Sequence, residues 1–64
     1  MRAYRVSKES NYTMQEKIDV IDGYNTGELL YVIREFEDSP GKFDPGIIKR
    51  VSKRLREKGI IFLY

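Results

Sequence analysis

Six cations fall within the ten residues from Lys49 to Lys58, namely Lys49, Arg50, Lys53, Arg54, Arg56 and Lys58, and only Glu57 opposes them in that stretch. Side chains of this reach and charge neutralise phosphates or enter a major groove. At about 100° per residue, Lys49, Arg50, Lys53 and Arg56 project together, with Arg54 and Lys58 flanking, while Ile47, Ile48, Val51 and Leu55 gather on the other side. The chemistry expected of the stretch is polyanion binding, with Lys49, Arg50, Lys53, Arg54 and Arg56 as the nucleic-acid contacts. Catalysis has no comparable foothold. The chain contains no histidine and no cysteine, and Ser7, Ser10, Thr13, Thr26, Ser39 and Ser52 fall in turns, caps or charged surfaces with no base nearby in sequence. No enzymatic activity and no cofactor are expected. The acid pairs Asp19/Asp22 and Glu35/Asp38 are within reach of a divalent cation, but such spacing is more often a solvated acidic face, and no metal is expected. Asp22-Gly23-Tyr24-Asn25-Thr26-Gly27 has glycines before a helix, yet it lacks the Gly-Lys-Ser/Thr ending of a phosphate loop.

Tyrosine is the second source of possible chemistry. Tyr4, Tyr12, Tyr24, Tyr31 and Tyr64 are too many for one small core, and tyrosine is favoured at protein interfaces. Tyr24, Tyr31 and Tyr64 are therefore candidates for docking on a partner. Charge is partitioned along the chain in a way that suits either function. Residues 1–8 carry Arg2, Arg5 and Lys8; residues 9–38 carry eight carboxylates against Lys17 and Arg34; residues 39–64 carry seven cations against Asp44 and Glu57. A molecule so divided can turn a basic face to nucleic acid or an acidic face to a protein, or its halves can neutralise one another. The first reading is a small nucleic-acid-binding regulator; the alternative is a protein-interaction module, inhibitor or adaptor that docks through tyrosines and an acidic surface.

The elements that position these groups are written unevenly. Asp44 is a good N-cap residue, Pro45 suits the first helical position, and Gly59 suits the left-handed residue after the last turn, so a helix over 45–58 has its start and stop encoded locally. Phe43 is placed to staple that helix by packing near Ile48. A second helix follows the turn at 22–26, capped by Asn25 or Thr26, with Glu28 at the third position if Asn25 is the cap. Leu29, Leu30, Val32, Ile33 and Phe36 form its apolar arc, and Ser39-Pro40-Gly41 ends it. Residues 2–7 alternate, Tyr4 and Val6 opposite Arg5 and Ser7, as a half-buried strand does.

Residues 12–21 fit two templates. Thr13-Met14-Gln15-Glu16 is a capping box, with Met14, Ile18 and Ile21 at helical spacing; Tyr12, Met14, Ile18 and Val20 also share one face of a strand. The β-branched residues Ile18, Val20 and Ile21 favour the strand, which would close a hairpin with residues 2–7. Ile60 to Tyr64 are apolar without a break, as in a strand covered on both faces or completed by another molecule, which makes a homodimer through this end an expectation. The fold class expected is α+β: two amphipathic helices on a short antiparallel sheet, order β-β-α-α-β, the second strand alternatively a helix. From Pro45 to Leu63, the basic helix with Val51 and Leu55 and the Lys58-Gly59-Ile60-Ile61 exit resembles the recognition helix and first wing strand of winged-helix DNA-binding domains, which implies a winged-helix-like fold and DNA contact through that helix. No short helix precedes it across a tight turn, however, and no second wing strand follows Tyr64.

Sixty-four residues make one domain with a modest core. No secretory signal and no run near the roughly 20 apolar residues of a membrane span is present, so a cytoplasmic protein is expected.

Overall fold

The computed structural model of the chain describes residues 2–61, of Arg2 the backbone only. Four helices follow one another: α1 Arg2–Arg5, α2 Met14–Asp22, α3 Thr26–Asp38 and α4 Pro45–Glu57, with a 3₁₀ turn at Pro40–Lys42 between the last two. No strand occurs among the described residues. The expected α+β arrangement, in the order β-β-α-α-β, is thus replaced by an all-helical one, and the winged-helix resemblance loses its wing: no strand follows α4 as far as Ile61. The remainder of the expected terminal strand, Phe62 to Tyr64, lies outside the described residues.

Each correction has a local cause. In residues 2–7 the buried side chains are Ala3, Val6 and Ser7, spaced i, i+3, i+4 as on a helix, whereas Tyr4, assigned to the inner face of a strand, is 50% exposed. The single turn closes with Ser7, whose hydroxyl and backbone N–H both donate to the Tyr4 carbonyl, at 2.8 and 3.1 Å. At α2 the capping box prevails over β-branched propensity. The Glu16 N–H donates to Thr13 Oγ1 at 3.1 Å and the Thr13 N–H donates to Glu16 Oε1 at 2.7 Å. Two otherwise orphaned donors are satisfied in this way, and a β propensity scale spanning only about 1 kcal/mol is readily overridden by context. The face α2 buries is not the Met14–Ile18–Ile21 stripe, however. Lys17 and Ile21 are buried, Ile18 is half-buried and Met14 is exposed. Lys17 is only 6% exposed, as a lysine can be because most of its side chain is an aliphatic stem.

The two long helices form where the local signals place them. Asn25 caps α3 reciprocally with Glu28, each side chain accepting from the other's backbone N–H at 2.9 Å. Leu29, Val32 and Ile33 are buried and Phe36 is half-buried, while Leu30, counted with them on the apolar arc, is exposed. Asp44 occupies the N-cap of α4 through its carbonyl, which accepts from Ile47 and Ile48 at 3.0 and 3.3 Å, but its carboxylate makes no capping bond. Phe43 is buried beside the start of α4, as a staple requires. The helix leaves through a Schellman turn: Gly59 N–H donates to the Arg56 carbonyl and Ile60 N–H to the Leu55 carbonyl, both at 2.9 Å, with Gly59 at φ +88°. The turn folds Ile60 back onto the core. Replacement of Gly59 by alanine is expected to lower stability by about 1 kcal/mol, because a Cβ is disfavoured at positive φ; urea unfolding checks it.

The core joins all four helices. Ile47, Ile48, Val51 and Leu55 of α4 meet Leu29, Val32 and Ile33 of α3, Ile21 of α2, and Ala3 and Val6 at the N-terminal turn, with Tyr24 and Phe43 closing the cluster. Because α4 packs on both α2 and α3, its apolar side is fully used and its cationic side is turned outward.

Candidate nucleic-acid interface on helix α4

The cations of α4 divide into two groups. Arg50 turns toward the C-terminal end of α2, where its Nε and Nη2 donate to Asp22 Oδ1 and Oδ2 at 2.8 and 2.6 Å. This is the paired-fork geometry that a guanidinium makes with a carboxylate. Arg54, one turn on, places Nε 3.8 Å from Asp22 Oδ1 and donates from Nη1 to Glu57 Oε1 at 2.7 Å. The first distance is an ion pair and too long for a hydrogen bond. Both guanidinium groups also lie near the carbonyl end of α2, where positive charge is favoured. Arg50 and Arg54 thus fasten α4 to α2.

Lys49, Lys53 and Arg56 are different. They lie at i, i+4 and i+7, all three are exposed, and among the described residues none forms an ion pair with a carboxylate. Along a helix axis they span about 10 Å. Lys58, at the C-cap, is also exposed. Of the five contacts expected from sequence, the structure therefore brings Lys49, Lys53 and Arg56 together on one outward line and commits Arg50 and Arg54 largely to intramolecular carboxylates. Asp22 is the residue that sequence reasoning missed as a partner. The clue is the i, i+4 spacing of two arginines, but their shared acceptor lies 28 and 32 residues away.

Asp22 has its pKa held below the ordinary aspartate value of 3.8, chiefly by the hydrogen bond from Arg50; burial opposes this, and the charges of Arg50, Arg54 and Lys53 each add a smaller pull downward. A carboxylate with a depressed folded pKa adds stability that is complete above its unfolded pKa and is lost as pH falls through the folded one. The pair is partly exposed, so solvent screening limits its worth to about 1 kcal/mol or less. Asp22→Asn should therefore lower urea stability by no more than about that amount at neutral pH. The gap between variant and parent should close in acid.

An apolar cleft of about 240 Å³ opens at the N-terminal end of the same stripe, lined by Phe36, Pro40, Phe43, Pro45, Ile48 and Lys49. Lys49 thus belongs both to the cleft wall and to the cationic line. Lys42, the nearest base on the 3₁₀ turn, donates to Glu35 Oε1 at 2.7 Å, and this bond raises its pKa. A second, broad and open groove of about 930 Å³ runs past Arg5, Asp19, Tyr24, Asn25, Glu28 and Tyr31, with charges of both signs.

The tyrosines named for docking separate as well. Tyr24 is a core residue at 8% exposure, Tyr31 is 39% exposed on α3, and Tyr64 lies outside the described residues. Among the described residues no group of acids or other ligands converges on a metal position, and no helix is long and apolar enough to cross a membrane. The chain matches no family model, and comparison with curated proteins and with solved structures finds no significant similarity.

Proposed function

We propose that the protein is a small non-enzymatic regulator that binds nucleic acid through the outward cationic line of α4. The observation that carries this reading is the line itself: Lys49, Lys53 and Arg56, exposed and without a carboxylate partner among the described residues, beside two arginines that do have one. A helix that needed charge only for solubility could have paired all five. Three phosphate contacts correspond to a slope of log affinity against log salt of about −2.7 on a duplex. The measurement is fluorescence anisotropy of a labelled duplex titrated at several salt concentrations, and weak binding indifferent to salt ends the proposal.

The second reading, docking on a protein, is favoured by one observation: Leu30 and Tyr31 are both exposed on α3, with Glu28 and Glu35 a turn to either side of Tyr31. A stoichiometric protein partner that survives nuclease treatment during co-purification would support it against the first.

A further inference from the structure

The cleft and the cationic line meet at one residue, and that junction says which kind of nucleic acid the surface suits. Lys49 closes one side of a cavity whose other walls are Phe36, Pro40, Phe43, Pro45 and Ile48, and from Lys49 the charges continue through Lys53 to Arg56. At about 240 Å³ the cavity is smaller than the roughly 300–1,000 Å³ of sites that hold a whole small molecule. It is of the scale of one flat ring. An apolar recess sized for a ring, with a run of cations leading away from its rim, matches the two parts of a nucleotide chain: a base with a π face and phosphates at regular intervals.

We infer that the ligand of this surface is single-stranded nucleic acid, one unpaired base seated in the cleft between Phe36 and Pro45 and the following phosphates tracked by Lys49, Lys53 and Arg56. The inference rests on the polyanion reading above and sharpens it. A duplex keeps its bases stacked inside and presents only phosphates and groove edges, so it can engage the cations but leaves the cleft unfilled. A single strand can offer both at once. Binding of this type tolerates sequence, because every base has a face to stack, and it combines that stacking with backbone neutralisation.

The test compares four labelled probes of equal length on the full chain: oligothymidylate, the same strand without bases, a duplex, and an oligoglutamate peptide. The expected result is oligothymidylate binding tighter than the base-free strand by about 5- to 100-fold, and tighter than the duplex, with a salt slope near −2, as three contacts give on single strands. Phe36→Leu, which keeps an apolar side chain against the core but removes the aromatic face, should narrow the gap between the first two probes and leave the slope alone; circular dichroism confirms that the variant is folded. Equal affinity for the strands with and without bases, alongside salt-dependent duplex binding, would overturn the inference and leave the polyanion reading intact. Salt-independent or absent binding of every nucleic acid would remove both. Oligoglutamate bound more tightly than oligothymidylate would assign the cleft and its cations to an acidic protein segment instead.

Discussion

Glutamine placed together at Lys49, Lys53 and Arg56 is expected to weaken nucleic-acid binding by about 10²- to 10³-fold at 0.1 M salt, because each phosphate contact on a duplex contributes roughly the inverse 0.9 power of the salt concentration, or about eightfold at that concentration. The salt slope should fall toward zero in step. Folding should be unaffected, since the three side chains are exposed and make no ion pair among the described residues; such surface changes usually shift stability by less than about 0.5 kcal/mol. The informative contrast is the double variant Arg50→Gln/Arg54→Gln. It removes two charges from the same helix, yet its first effect should be a small loss of stability from the Asp22 and Glu57 pairs, with most of the salt slope retained. Anisotropy titrations and urea unfolding on both variants separate the two sets of cations. If the arginine pair lost the slope and the outward triple kept it, the division drawn between anchoring and ligand-facing charge would be wrong.

The largest effect on folding is expected at Leu55. It is fully buried in α4 and is also the residue whose carbonyl receives the returning N–H of Ile60, so its side chain anchors the last turn against the core while its backbone shapes the exit. Truncation of a buried leucine to alanine costs about 2–5 kcal/mol. A single core in a chain this short rarely supplies more than about 3–5 kcal/mol in total. Leu55→Ala is therefore expected to leave the protein largely unfolded at 37 °C. Leu55→Met, close in volume, should cost less than about 1.5 kcal/mol and keep the cooperative transition. Thermal melts followed by circular dichroism read both, and a Leu55→Ala protein that melts near the parent would show that the core described around α4 is not what holds the domain together.

Much of the helical architecture was legible because its ends are marked by residues acting on their own backbone. Asn25 with Glu28, Pro45, and Gly59 each fix a boundary through contacts within a few residues, and those contacts need no knowledge of the rest of the fold. The failures lie where local signals were short or in conflict. Arg2–Arg5 is one turn, too brief for helical and strand periodicity to be told apart, and the choice was made by which of Tyr4 and Ala3 found the core. In α2 three β-branched residues point to a strand, while the capping box that decides the segment is only two hydrogen bonds. The buried face was then set by Lys17, a residue whose charge conceals that its stem is apolar. At the start of the terminal apolar run, Ile60 needs only one buried partner surface, which the Schellman turn provides, and Ile61 is left 78% exposed.

For the site, the amphipathic division of α4 was visible in the spacing of Ile47, Val51 and Leu55 against Lys49, Lys53 and Arg56. Which cations would be consumed by the fold was not visible, because that depends on where the end of α2 lands in space. The cleft was invisible for the same reason, being assembled from the end of α3, the 3₁₀ turn and the start of α4. Phe43 was placed correctly as a staple, but a staple accounts for one wall only.

The sorting of cations by residue type on α4 has a consequence for chemical control. Those that fasten the helix, Arg50 and Arg54, are guanidinium groups, whereas two of the three that face outward, Lys49 and Lys53, are amines. An acyl group transferred to lysine would erase most of the outward charge and leave both fastenings untouched. The surface could in that way be silenced and restored on a chain that never unfolds.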